Sequence, residues 1–528
     1  MNEYGTFTKR IGYTSMIELI CICLFPLILQ CLRSIICIHF NISSKNRFYY
    51  SLIIDYLIIL LPILLLLTIL SSYIIIIVIS CFIIFLLWLL LPPNDDDHQM
   101  KSSFEKFHTL PINIIIAYLR STIYILSCIM IYAIDLPICP RRFAKSDIND
   151  LGLMDVGTGL FIYASSISGS KVVWYMNLDR DHRKSVFHCI LNTVIPCLLL
   201  GLLRTLFIQL SNYHQSITEY GIHWNFFYTV ALIRAISLIM TTDNLISNYL
   251  TTFSLKKQIQ LYYIISGICL IVSELLPIII CPKYFQTRWQ FNPRTLHYIN
   301  DNRSKSLWIA NFEGIISLFG YASIYFFSLS SSLLVRSYLS RDTNKDNSNG
   351  KSSLSKKEFS LFSIYFICSF MILCLLGCFY LLGGSQMTSR RFANSNYILL
   401  IIFLSIICFL FLILMISLLI HFKSLFNLNL SYSPLSLIIN DKGFLYFIIS
   451  NLLTGFFNVF CLNTLQLLPE GARLNVIMGT YDDLSWSSSL LQFSVLLAYS
   501  SLSVIFVLIG TYYDRLKLSS PSMFGISK

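Results

Sequence analysis

The chain has 528 residues, of which 56% are hydrophobic and only 12% charged, with a mean hydropathy of +0.70. Those values exclude the soluble classes and identify a polytopic membrane protein. The formal net charge of +12 would suggest nucleic acid in a soluble protein, but here the cations are scattered through short loops between apolar runs. Orientation and lipid head groups account for them, and no nucleic-acid partner is expected.

Apolar runs and polar breaks predict thirteen spans, near 16–38, 49–70, 72–92, 113–135, 152–170, 187–209, 222–243, 260–281, 312–334, 360–382, 396–420, 444–465 and 489–512. The expected architecture is an all-α polytopic membrane protein. About 13 transmembrane helices form a single bundle and one integral membrane domain over residues 1–528. The first run is too long for a signal-peptide core and has no clear small-residue cleavage site, so it is kept as a span. At Ser71-Ser72 a long apolar stretch must turn back on itself. Most of the 16 cysteines, Cys21, Cys23, Cys81, Cys368 and Cys408 among them, lie inside apolar runs without metal-ligand spacing, which indicates neither a zinc site nor a disulfide framework. The segment 340–358, rich in Asn, Ser, Asp and Lys, reads as a disordered linker.

An odd number of spans puts the termini on opposite faces. With the N-terminus non-cytosolic, 21 of the 38 Lys and Arg fall in cytosolic segments, 13 on the other face and four within spans (Arg33, Arg120, Arg204, Arg234). The positive-inside bias therefore selects a lumenal N-terminus, a cytosolic C-terminus and a cytosolic linker.

Chemistry concentrates around Pro140 to Gly159, where three cations and three carboxylates interrupt the hydrocarbon. The fifth span follows, with Gly152, Gly157, Gly159, Gly169, Thr158, Ser165, Ser166 and Ser168, a pattern that lets neighbouring helices approach closely. Asp155 shares a helical face with Thr158 and Gly159, so its carboxylate can point into a crevice between helices. A membrane-edge carboxylate is costly and is read as a functional candidate with a partner. The alternative is an Asp that caps its own helix. Lys145, ten residues earlier, reaches Asp155 only if the loop folds back, which the turn residues at 149–152 permit; otherwise it is a snorkelling interfacial cation.

Six spans later Ser389-Arg390-Arg391-Phe392-Ala393-Asn394-Ser395 echoes Arg141 to Ser146, as a duplication relic, as two loops meeting around one polar centre, or by chance. Further polar islands are His223-Trp224-Asn225, Glu274, Glu313-Gly314, and Asn451 with Thr454-Gly455 and Asn458. His223 and Asn225 are alternatives for proton handling or an interfacial anchor, and Asn451 and Asn458 suit interhelical hydrogen bonds. A phosphate-binding glycine loop, a Gly-x-Ser-x-Gly elbow and a Cys/His cluster are all missing, so nucleotide hydrolysis, serine-hydrolase chemistry and a bound metal are not indicated.

Five stretches in order carry a resemblance: Arg141-Arg142-Phe143-Ala144-Lys145 with Gly152 to Gly159, Gly221 to Phe227, Glu313 to Ser317 with Gly320-Tyr321, Ser389 to Asn394, and Asn451 to Gly455 with Asn458. Together they resemble the GPI inositol acyltransferase family (PIG-W, or GPI-anchored wall transfer protein). The resemblance implies an endoplasmic reticulum enzyme of about thirteen spans. It would move a fatty acyl group, typically palmitoyl, from acyl-CoA to the inositol 2-hydroxyl of glucosaminyl-phosphatidylinositol on the lumenal side. The partners expected are acyl-CoA (palmitoyl-CoA) as co-substrate, that glycolipid and the bilayer, with no permanently bound cofactor. In the direct-transfer mechanism expected, Asp155, poised by Lys145, takes the proton of the attacking hydroxyl, and a cation or amide stabilises the oxyanion. Arg141, Arg142, Arg390 and Arg391 are candidates for the anionic phosphoinositide, with Asn225 and Asn451 as further substrate contacts. Lys171, Arg180, Arg183 and Lys184 are candidates for the CoA phosphates. Other readings are an acyltransferase with His223 as base, a multispan secondary transporter of a lipid or small anion, and a non-catalytic scaffold.

Overall fold

The computed structural model describes residues 14–40, 48–91, 112–146, 152–178, 191, 194–211, 220–241, 253–280, 306–345, 371–372, 374–422, 433–458 and 486–519. Among these residues the ordered elements are helical and no strand occurs, which is the solution hydrocarbon imposes because a helix satisfies its own backbone. In chain order the helices begin with α1 (Met16–His39), α2 (Phe48–Asp55), α3 (Leu61–Leu67), α4 (Ile74–Leu90) and α5 (Ile112–Ala133). They continue with α6 (Leu153–Leu178), α7 (Ile195–Ser211), α8 (Phe226–Thr241), α9 (Leu255–Ile280), α10 (Leu307–Ala310) and α11 (Phe312–Lys345). The last four are α12 (Ser395–Phe422), α13 (Pro434–Asp441), α14 (Gly443–Phe456) and α15 (Trp486–Ser519).

Among the described residues, eight helical stretches are long and apolar enough to cross a membrane: Met16–Cys37, Phe48–Leu67, Ser71–Leu90, Asn113–Ala133, Leu255–Ile279, Phe312–Ser337, Ser395–Ile420 and Ser489–Tyr512. Ile195–Phe207, Phe226–Ile239 and Gly443–Phe456 are shorter apolar helices at three further expected spans. The protein is therefore a multi-pass all-α membrane protein. The turn expected at Ser71-Ser72 is a 3-10 turn, Ser71–Tyr73. Three boundaries move outward. Helix α6 runs on to Leu178, so Lys171 lies on a helix and not in a loop; α9 starts at Leu255 and takes in Lys256 and Lys257; α11 continues through Lys345 into the first residues of the expected linker. Residues 346–358 of that linker and most of the expected span 360–382 lie outside the described residues.

The chain divides into two compact units, Met1–Ala144 with Phe411–Lys528, and Lys145–Leu410. In the first unit α1 packs on α4 and α5, and α5 also receives α13 and α14, with α15 along α14. Its interior holds a fully buried ion pair, Arg33 Nε to Asp55 Oδ1 at 2.5 Å. Arg33 also donates to Ser51 Oγ, while Asp55 Oδ2 accepts from Ser433 Oγ at 2.7 Å and Leu435 N–H at 3.0 Å. Ser433 is the N-cap of α13, so the pair is tied to a helix start.

In the second unit α11 is the central helix, flanked by α9, α6 and α8, with α7 against α8. Serines replace bulk at the crossings, and their hydroxyls reach the facing backbone. Ser166 Oγ donates to Tyr325 O at 2.6 Å and Ser328 Oγ to Tyr163 O at 3.1 Å, a reciprocal pair that ties α6 to α11. Ser266 and Ser323 exchange the same kind of bond between α9 and α11, at 2.8 and 2.9 Å. The serine-rich faces that lower the hydropathy of these helices are thus the faces that let them meet.

Candidate functional site

The site grows from the first turn of α6. Gly152 precedes the helix and Asp155 is its third residue, a position from which a carboxylate reaches back to the backbone of the cap. Asp155 Oδ2 accepts the N–H of Gly152 at 3.0 Å and that of Ser146, also at 3.0 Å. The chain entering α6 therefore does return to Asp155, as the turn residues suggested; the connecting residues 147–151 lie outside the described ones. The other oxygen, Oδ1, accepts from Arg390 Nε at 3.0 Å, in an ion pair whose side chains are 4% and 1% exposed. The carboxylate caps its own helix and holds a buried cation at once. The capping role that the sequence offered as an alternative to catalysis is realised, and the cation bonded to Asp155 is Arg390 from the second Arg-Arg stretch. Lys145 sits beside Ser146, half-buried.

Arg390 belongs to a tight loop on top of α11. Ala393 N–H donates to Arg390 O at 3.1 Å and Asn394 N–H to Ser389 O at 3.3 Å, with Ala393 at φ 45°, a left-handed conformation uncommon outside glycine. The loop lies so close to α11 that a Cβ on Gly320 would run into the Ala393 carbonyl oxygen, so only glycine fits there. Phe392 anchors it by packing on Phe312, ring centroids 6.3 Å apart. Arg391 Nη2 donates to Glu313 Oε1 at 2.6 Å, and both side chains are buried. Asn394 then caps α12: its Oδ1 accepts from Tyr397 N–H at 3.2 Å and Ser389 N–H at 3.1 Å. Glu274, from α9, accepts the N–H of Ser395 at 2.5 Å. The Arg390 guanidinium stacks 5.6 Å from the centroid of Tyr220.

Two acids and two arginines thus lock in pairs among α6, α11 and the loop before α12. Removing one partner would strand a buried charge at a cost of about 3–5 kcal/mol. The pairing gives the Asp155 carboxylate a fixed direction in a low-dielectric surround, where its attraction to Arg390 is stronger than in water.

His223 is exposed, and its backbone N–H donates to Asn311 Oδ1 at 2.9 Å. Asn225 is buried and caps α8, accepting from Phe227 N–H at 3.0 Å while its amide donates to Gly201 O at 2.9 Å. In the other unit, Arg141 donates to the carbonyls of Ile134, Leu136 and Cys139, and Arg142 pairs with Glu18 at 2.9 Å and donates to Ser71 O at 2.8 Å. Asn451 also belongs to that unit and bonds back to Phe447 O within α14, at 2.8 Å. Arg180, Arg183, Lys184 and the side chain of Lys171 lie outside the described residues. Among the described residues no group of three or more His, Cys, Asp and Glu is arranged to hold a metal ion.

Sequence reasoning did not find Tyr397, whose hydroxyl donates to the Asp155 carbonyl at 2.8 Å. Nor did it single out the pair of Arg33 and Asp55, although opposite charges in two successive spans were a usable signal.

The GWT1 family model matches residues 2–481. The chain is 28% identical over 400 residues to GPI-anchored wall transfer protein 1 of Candida albicans, covering 72% of this chain and 74% of that protein. To the protein of the same name from Saccharomyces cerevisiae it is 27% identical over 403 residues, covering 72% and 70%. A further relative of that name, from Kluyveromyces lactis, is 32% identical over 209 residues, 39% of this chain and 40% of the relative. With a family model that spans residues 2–481, and with the Asp155 centre inside it, the chain belongs to the GWT1 family.

Proposed function

We propose that this protein is an acyl-CoA-dependent O-acyltransferase of GPI-anchor biosynthesis in the endoplasmic reticulum membrane. It moves a fatty acyl group, palmitoyl by preference, to the inositol 2-hydroxyl of glucosaminyl-phosphatidylinositol. The whole chain serves as one acyltransferase domain, with the N-terminus lumenal and the C-terminus cytosolic. The observation that carries the reading is Asp155, an acid held in one orientation by Arg390 and two backbone N–H groups at the start of a small-residue helix. The names of the relatives support the pathway.

In the reaction, Asp155 accepts the proton of the inositol hydroxyl as its oxygen attacks the thioester carbonyl. The carbon–sulfur bond breaks, CoA leaves as the thiolate, and the ester forms. Lys145, next to Ser146 in the chain, is assigned the role of favouring the charged carboxylate or the oxyanion. The acyl-CoA phosphates are assigned to Lys171, Arg180, Arg183 and Lys184.

A second reading rests on exposure: His223 is open whereas Asp155 is 1% exposed, so His223 is the alternative base. Transfer of labelled palmitoyl from palmitoyl-CoA to a glucosaminyl-phosphatidylinositol analogue by purified protein separates the two. Asp155→Asn is expected to lower kcat by about 10²–10⁴-fold, the usual worth of a positioned base, and His223→Ala to leave it within severalfold. The reverse pattern would transfer the role to His223, and no transfer by folded native protein would sink the acyltransferase reading.

A further inference from the structure

Asp155 is gripped at its main chain as well as at its carboxylate. In a regular helix the carbonyl of residue 155 accepts from the N–H of residue 159. Here the Tyr397 hydroxyl joins both groups of that rung: it accepts from Gly159 N–H at 3.0 Å and donates to Asp155 O at 2.8 Å. The hydroxyl fits because position 159 has no side chain. A Cβ there would lie 2.9 Å from the hydroxyl and 2.6 Å from Ile401 Cγ1. Tyr397 is fully buried, with its ring edge-on to Tyr321 at 6.2 Å, so the ring is held where its hydroxyl meets α6. Its own N–H is held by Asn394, four residues after Arg390. One short segment, 390–397, therefore holds the two ends of Asp155, the carboxylate through Arg390 and the carbonyl through Tyr397.

We propose that Tyr397 is a positioning residue for acyl transfer: it locks the turn of α6 that carries Asp155, so that the carboxylate presents one direction to the acceptor hydroxyl. The proposal rests on the reading of Asp155 as proton acceptor. Misplacement of a reacting group by about 1 Å is enough to cost up to about 10²-fold in rate, which sets the size of the effect.

The test is steady-state kinetics of palmitoyl transfer by the full chain in detergent, with the folded fraction measured on the same samples. Tyr397→Phe keeps the ring and removes only the hydroxyl that bonds Gly159 N–H and Asp155 O, two groups that a regular helix pairs with each other. The expected result is a fall in kcat of about 10- to 100-fold per folded molecule, with KM for palmitoyl-CoA and for the glycolipid analogue unchanged. Gly159→Ala, which crowds the same hydroxyl from the helix side, is expected to give the same kcat-specific loss. In the Asp155→Asn background Tyr397→Phe should cost nothing more, because residues acting through one group are not additive. A native kcat per folded molecule in both single variants, or a loss confined to the folded fraction, overturns the proposal. If Asp155→Asn abolishes transfer while the two variants do not lower kcat, positioning alone fails. If Asp155→Asn retains full transfer, the proton-acceptor reading fails and this proposal falls with it.

Discussion

The two Arg-Arg-Phe-Ala stretches, 141–144 and 390–393, share four residues and part of a plan. In each, the second arginine pairs with a glutamate in the first turn of a long apolar helix: Arg142 with Glu18 of α1, and Arg391 with Glu313 of α11. In each the phenylalanine is buried. They part at the first arginine and at the residue after alanine. Arg141 folds onto the carbonyls of its own approach, whereas Arg390 reaches across to Asp155. Asn394 caps α12 at once, while Lys145 occupies the matching place with five further residues, 147–151, between Ser146 and Gly152. The first arginine of the motif thus closes its own turn in one unit and joins a charged centre in the other. Local sequence sets the turn, and a facing acid decides what the guanidinium does.

Burial separates the two copies further, and substitutions can test that. The side chains of Arg391 and Glu313 are 4% and 0% exposed, against 27% and 14% for Arg142 and Glu18. The largest expected effect is Glu313→Ala, which strands Arg391 and should lower the unfolding free energy by about 3–5 kcal/mol, read as a fall in the thermal midpoint in detergent. Next comes Asn394→Lys, which writes the first copy's residue into the second. Loss of the cap on α12 should cost about 1–2 kcal/mol in the same measurement. The smallest is Arg142→Met, which keeps the apolar stem and breaks a partly exposed pair; about 1 kcal/mol or less is expected, diminishing further as salt is added. Equal losses from Glu313→Ala and Arg142→Met would show that burial does not distinguish the two copies.

Much of this was legible in the chain. Apolar runs marked the helices because crossing hydrocarbon demands about 20 apolar residues, and boundaries slipped where a helix continues past the apolar run, as α6 does to Leu178 and α11 to Lys345. Asp155 stood out because a carboxylate beside small residues at a span's edge has few bland explanations. Its cation did not, because Arg390 lies 235 residues away and Lys145 is near in sequence. Asn225 looked available for chemistry, yet its side chain is spent on the start of α8, a use that Asn serves wherever a helix begins beneath it.

By itself the sequence determined that this is a multi-pass helical membrane protein, that charged residues gather near Asp155 and in two Arg-Arg stretches, and that serine- and glycine-rich helices pack closely. Those properties follow from composition and local spacing. Only the tertiary structure decided which arginine neutralises which acid, and that the Tyr397 hydroxyl bonds Asp155 and Gly159 of α6. Such partners are chosen by which helices lie side by side. In a buried setting, where an unpaired charge is costly, that adjacency and not proximity along the chain selects the pair.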